Sequence, residues 1–254
     1  MPDPRPEKPG KVWLVGAGPG DAELLTVKAA RLIAAAEAIV YDHLVGEGIR
    51  ALFPESARRI YVGKKAAQHT LKQDEINQLL VDLAREGLKV VRLKGGDPFI
   101  FGRGGEELEI LHAAGIPFEV VPGITAAAGC AAYAGFPLTH RDHAQAVVFV
   151  TGHLKDHTVD LDWPALARPT QTVVFYMGIG GATEICRQMI AHGLPASTPV
   201  AIVRRGTLPD QRTLSATLGT LAQRIAESSI KPPALIVVGS VVGLRDKLSW
   251  FEHS

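Results

Sequence analysis

Cysteine is nearly absent: Cys130 and Cys186 are the two in 254 residues, far apart and in no metal-ligand spacing. That excludes a disulfide scaffold and suits a reducing, cytoplasmic setting. Charge of one sign is lacking too. Lys plus Arg total 27 and Asp plus Glu 26, a net charge of +1, too little for broad electrostatic capture of nucleic acid. It leaves room for a local basic patch facing a small acidic molecule. No uninterrupted apolar run approaches the roughly 18 residues of a membrane-crossing helix. The opening residues 1–10 are rich in proline and charge and have no apolar core, so they read as a disordered tail, neither signal nor anchor. Familiar catalytic signatures are missing as well. There is no Walker lysine pattern and no Gly-x-Ser-x-Gly elbow, which leaves hydrolysis and acyl transfer without a motif. His153 and His157 stand at helical i, i+4 spacing, but Leu154 follows His153 where a zinc protease has Glu. These two, with His140, Asp142 and His143, read as polar loop residues, and no metal is expected.

What is present is an ordinary globular composition, 46% hydrophobic and 21% charged, in a chain long enough to bury a substantial core. Short apolar runs alternate with amphipathic stretches. Strands are expected at 12–15, 38–41, 59–63, 89–93 and 118–121, then at 146–150, 172–176, 199–203 and 235–238. The first helix would place Leu25, Ala29, Leu32, Ile33 and Ala36 on one face; another aligns Ile76, Leu79, Leu80 and Leu83 before Gly87 as a C-cap. Further helices fall at 104–114, 125–132, 182–192 and 220–227, and 212–218 alternates as an additional strand, with antiparallel pairing open. The pattern pauses over residues 135–143. We therefore expect a 1–10 tail, an N-terminal α/β domain at 11–138 and a C-terminal α/β domain at 139–254, with largely parallel sheets and a ligand in the cleft between the two domains.

The chain is organised around residues 90–107, VVRLKGGDPFIFGRGGEE. An apolar run breaks into Gly95-Gly96-Asp97-Pro98, and further glycines then surround Arg103, Glu106 and Glu107. No core requires that mixture, and loops at the carboxyl ends of strands are where open α/β sheets bind ligands. Lys94, just before the loop, reads as a solvated strand end. A first glycine turn, Gly16-Ala17-Gly18-Pro19-Gly20, invites a dinucleotide reading with Asp42 as the ribose acid. The fingerprint fails at its third glycine, where Asp21 stands, and Pro19 removes an N–H donor. What remains is a tight turn that lets a ligand approach the backbone. In the second half, Met177 before Gly178 fits either core packing or the lining of a ligand site. Arg204-Arg205-Gly206 and Pro233-Ala234 fit loop charge and strand entry.

These stretches, with Tyr41-Asp42, Val121-Pro122-Gly123-Ile124-Thr125-Ala126, Pro137-Leu138-Thr139-His140-Arg141-Asp142, Thr151-Gly152-His153 and Phe175-Tyr176-Met177-Gly178, resemble the tetrapyrrole methylases over residues 11–253. The resemblance implies a class III tetrapyrrole methylase-like fold, a homodimer, and S-adenosyl-L-methionine in the interdomain cleft as methyl donor, leaving as S-adenosyl-L-homocysteine. It implies methylation of uroporphyrinogen III at C2 and then C7, giving precorrin-2 by way of precorrin-1. The cofactor positions it implies are Pro19, Gly95, Gly96, Asp97, Ile100, Thr125, Ala126, Met177, Gly206 and Ala234. Asp42 matches a proton acceptor and Lys64 a donor. Arg103, Glu106 and Arg141 match substrate-facing positions. Arg103 is a candidate catalytic residue, but a guanidinium is not deprotonated, so it suits a clamp on a substrate carboxylate steered by Glu106. Uroporphyrinogen is rich in carboxylates, which Arg141, Lys64 and Arg204 could also meet. The alternatives are a methylase of a later corrinoid intermediate and a non-catalytic nucleotide-binding module. Some relatives carry a fused dehydrogenase–ferrochelatase module, and none is expected within these 254 residues.

Overall fold

The computed structural model describes residues 8–63, 71–152, 161–228 and 230–251. The chain forms two compact units, up to residue 126 and from residue 127 onward. The sequence placed this boundary at 138–139. The small-residue helix before that point belongs to the second unit, where the Ala127 amide donates to Tyr176 Oη (3.0 Å). Of the expected tail, residues 1–7 lie outside the described residues, and Gly10 is tied down by its amide, which donates to the Ala84 carbonyl at 2.7 Å.

In the first unit β1 (Lys11–Gly16), β2 (Ala38–Tyr41), β3 (Arg58–Tyr61), β4 (Lys89–Lys94) and β5 (Phe118–Val121) form one sheet in the order β3-β2-β4-β1-β5. Every pairing in it is parallel, as expected. The connections are α1 (Val27–Ala34), α2 (Glu47–Arg50), α3 (Gln73–Arg85) and α4 (Gly104–Ala113). Those leading toward the β3 edge carry α1 and α2, and those leading back carry α3 and α4. Right-handed crossovers therefore put the two pairs on opposite faces. The cores agree: Ala29, Ile33 and Ile49 pack with Val91 and Leu93 on one face, and Ile76, Leu80 and Leu111 pack with Val12, Val40 and Val90 on the other. The chain leaves the adjacent strands β1 and β4 in opposite directions. This is the topological switch point, where doubly wound sheets open a crevice at the strand carboxyl ends. The first helix starts later than expected, because Thr26 caps it by accepting from the Ala29 amide at 3.1 Å. Leu25 falls outside it.

The second unit holds α5 (Ala126–Ala134) from Ala127 on, β6 (Ala146–Thr151), α6 (Trp163–Leu166), β7 (Gln171–Tyr176), α7 (Ala182–Ala191), β8 (Pro199–Arg204), β9 (Arg212–Thr217), α8 (Leu221–Ser228), β10 (Ala234–Val238) and α9 (Arg245–Leu248). Its sheet runs β6-β7-β10-β8-β9. Here the expectation of largely parallel pairing needs correction: only β6–β7 is parallel, and β7–β10, β10–β8 and β8–β9 are antiparallel. The seven residues between β8 and β9 are too few for a parallel crossover. The stripe Ala182, Ile185, Cys186 and Met189 buries α7 against Phe175, Val200, Ile202 and Ile236. Fully burying side chains such as Ile185 and Met189 stabilises by about 1.5–3 kcal/mol each.

Candidate functional site

At the switch point three turns meet backbone against backbone. A Cβ on Gly16 would strike Gly123 and the Gly96 carbonyl; one on Gly123 would strike Gly96 and Gly16. Gly18 and Gly96 form a two-way bridge, with the Gly18 amide donating to Gly96 O at 3.1 Å and the Gly96 amide to Gly18 O at 2.7 Å. Gly96 has φ +68°, which favours glycine. Pro19, Gly95, Gly96, Asp97 and Ile100 therefore stand at one edge, beside Thr125 and Ala126 beyond β5. The Asp97 carboxylate is already engaged. Its Oδ1 accepts from the Phe99 amide (2.8 Å) and its Oδ2 from the Gly123 amide (3.0 Å), tying the central loop to the turn after β5. From the sequence the Gly16 turn reads as a place where a ligand approaches the backbone, and the contact of Gly16 with Gly123 is not legible there.

Arg103 caps α4 in the left-handed region at φ 57°. Its guanidinium binds Glu106 in a fork, Nε to Oε1 at 2.8 Å and Nη2 to Oε2 at 2.5 Å, with both side chains half exposed. The hydrogen bond from Arg103 holds the Glu106 carboxyl below its usual range and raises the guanidinium in turn. Phe99 and Phe101 are exposed on the same loop, as is Leu44 after β2.

Asp42 follows β2 at the same edge. Its Oδ1 accepts from the Leu44 amide at 3.0 Å, and its Oδ2 lies 3.6 Å from Arg92 Nη2. Lys64 lies outside the described residues. Beneath Asp42 is a charged group the sequence reading misjudged. Lys94 is only 5% exposed, so it is no solvated strand end, and Arg92 and Glu107 are 3% and 0% exposed. Arg92 Nε and Lys94 Nζ both donate to Glu107 Oε1, at 3.1 and 2.9 Å. Burial, reinforced by Arg92, pushes Lys94 below the ordinary lysine range, with Glu107 pulling the other way. The available signal was the period of two. Val90, Arg92 and Lys94 share one face of a strand that is core on both faces.

In the second unit β10 runs antiparallel to β7 and β8 and lies between them. The start of β10 therefore lies at the edge where β7 and β8 end, so Met177, Gly206 and Ala234 stand on one sheet edge. Met177 has φ 54° and is 54% exposed, which removes the core-packing alternative. Gly206 is required by close approach, since a Cβ there would strike the Cys130 side chain on α5. Burial raises the Cys130 thiol to about 12. Arg141 is exposed in the turn closed by the His140–Ala144 bridge. His140 Nδ1 accepts from the Asp142 amide at 3.1 Å. His153 and His157 lie outside the described residues. Among the described residues no helix is long and apolar enough to cross a membrane.

Comparison with known proteins gives this geometry a context. The sequence profile of the tetrapyrrole (corrin/porphyrin) methylases matches residues 11–222. A siroheme synthase of Nitrosomonas europaea is 64% identical over 245 residues, 96% of this chain and 52% of that protein. The chain thus spans about half the length of the curated relatives it matches. Uroporphyrin-III C-methyl transferase from Thermus thermophilus, solved with S-adenyl homocysteine, is 42% identical with a TM-score of 0.80, covering 92% of this chain and 100% of that one. A cobalt precorrin-4 methyltransferase is 28% identical with a TM-score of 0.82, covering 91% and 95%.

Proposed function

The chain belongs to the tetrapyrrole (corrin/porphyrin) methylases, and from that membership we propose that it is an S-adenosyl-L-methionine-dependent C-methyltransferase acting on uroporphyrinogen III at C2 and then C7. The observation that carries this reading is the glycine crossing at the switch point, held by Asp97. It locks three strand-end turns together at the switch point, where doubly wound sheets take their ligands. The same assignment is supported by the Thermus thermophilus relative, which holds the product form of that cofactor. We assign cofactor contacts to Pro19, Gly95, Gly96, Ile100, Thr125 and Ala126 in the first unit and to Met177, Gly206 and Ala234 in the second. Asp97 joins them as the residue that fixes the turn.

When bound, the cofactor supplies a methyl group already electrophilic on a sulfonium. A macrocycle carbon that took that methyl group would leave the ring to give up a proton. The protein's tasks are to align the reacting carbons at roughly 3–3.5 Å, exclude water and accept that proton. Asp42 is the proposed acceptor, partly open to solvent and held by the Leu44 amide and Arg92. Lys64 remains the proposed donor. Arg103 would clamp a substrate carboxylate from a fork that Glu106 keeps in shape, with Glu106 and Arg141 also facing substrate. We further propose that it works in the cytoplasm as a homodimer, with both thiols buried and reduced.

Freshly prepared uroporphyrinogen III incubated anaerobically with S-adenosylmethionine should yield a product two methyl groups heavier. An unmethylated tetrapyrrole, with a later corrinoid intermediate methylated in parallel, would move the substrate downstream. Cofactor binding with no turnover on either would favour a non-catalytic module.

A further inference from the structure

Glu107 stands in the first turn of α4 and has no exposed surface, and its amide donates to the Arg103 carbonyl at 3.4 Å. Its Oε1 gathers three donors: Arg92 Nε (3.1 Å), Lys94 Nζ (2.9 Å) and Gln73 Nε2 (3.4 Å). Its Oε2 is buried with no hydrogen-bond partner. Arg92 is locked further by its Nη1, which donates to the Leu93 carbonyl (3.0 Å) and reaches that of Val40 (3.5 Å). Its remaining nitrogen, Nη2, faces Asp42 Oδ2 at 3.6 Å. A buried ionic group of this kind is weak evidence for stability, because apolar residues of similar volume often serve a core as well. Its placement is informative instead. Arg92 and Lys94 lie on the strand entering the central loop, Glu107 on the helix leaving it, and the network surfaces at the half-buried Gln73 and at Asp42, whose side chain is 21% exposed.

We propose that Glu107 is a positioning residue for proton removal: it anchors Arg92 beneath the carboxyl edge of the sheet, and Arg92 in turn fixes the Asp42 carboxylate that accepts the proton. This rests on the assignment of Asp42 as base. Lys94 completes the group, so that two cations face two carboxylates and Arg92 need not turn away from Asp42 to neutralise Glu107 alone. The network also couples the base to the central loop. Any shift of α4 relative to β4 is transmitted through Glu107 and Arg92 to Asp42.

The test is a double-mutant cycle on the full chain, read as kcat and as KM for S-adenosylmethionine. Glu107→Gln should lower kcat by about tenfold to a hundredfold, less than the roughly 10²–10⁴ that a positioned base contributes in full, with KM unchanged. In an Asp42→Asn background the same change should cost nothing further, since its effect runs through Asp42. Arg92→Lys keeps the buried charge balance and serves as the second variant, its fold checked by circular dichroism. It should reproduce the kcat loss at constant KM, because a compact ammonium cannot span Glu107 and Asp42 together. Normal kcat in a folded Glu107→Gln or in Arg92→Lys overturns the proposal. So does a full multiplicative loss when Glu107→Gln is added to Asp42→Asn, which would mark a general structural role. Full turnover in Asp42→Asn alone removes the base assignment, and the positioning role falls with it. That failure shows in the single variant, before any cycle is closed.

Discussion

Asp97 carries two duties at one carboxylate. The resemblance makes it a cofactor position, and both its oxygens accept backbone amides, from Phe99 and Gly123. Removing it leaves the half-buried Gly123 amide without its acceptor and frees the turn after β5 from the central loop. Asp97→Ala should therefore cost about 1–3 kcal/mol of stability, the range for an orphaned polar group, and weaken S-adenosylhomocysteine binding as well. Thermal denaturation and calorimetry read the two effects separately, and a variant that loses affinity with no loss of stability would return Asp97 to the role of direct ligand. The residue types at this edge were legible from the sequence, because glycine, proline and charge together break a strand-to-helix connection. Their partners were not. Nothing local in Gly16 or Gly123 says that the two will touch, since about a hundred residues separate them and the sheet order brings them together.

At the scale of elements, β5 and α1 are pinned to β1 by one carboxylate. Glu119 on β5 accepts from Lys11 on β1 at 2.7 Å and from Trp13 Nε1 at 3.3 Å, and it pairs with Lys28 on α1. These lysines hold its carboxyl at about 2, against 4.5 in an open chain. The sign follows from the depressed value. The stabilisation is present in full above 4.5, fades as pH falls toward 2, and is gone below it. The melting-temperature gap between the native chain and Glu119→Gln should accordingly be open at neutral pH and close as the solution is acidified through that window. A gap that stays constant would show that Glu119 acts through packing alone. Element existence was largely readable from apolar periodicity, which recovered the ten strands among the described residues to within one or two residues at their ends. Short pieces such as α2, α6 and α9, four residues each, escaped, since one helical turn is too brief to show a period.

At the largest scale the described residues form two five-stranded sheets of different character. Strand–helix alternation predicted the first sheet well, because each helix there is a crossover. In the second, β10 inserts between β7 and β8 with reversed direction, and no residue pattern within β10 announces that order. The insertion nevertheless sets the candidate site. It brings Ala234, Met177 and Gly206 to one edge although nearly sixty residues separate Met177 from Ala234. Each sheet thus presents a single edge of glycine-lined turns and unusual backbone angles, and the charges buried below the first edge serve the residue proposed to take a proton.

The central claim is two ordered methyl transfers to one tetrapyrrole, and the position of the methyl groups tests it most directly. With S-adenosylmethionine carrying a ¹³C-labelled methyl group and uroporphyrinogen III as acceptor, carbon NMR of the anaerobic product should show two new quaternary-attached methyl signals, at C2 first and at C7 later. A single label, a label on nitrogen or oxygen, or labels at other ring positions would contradict the account.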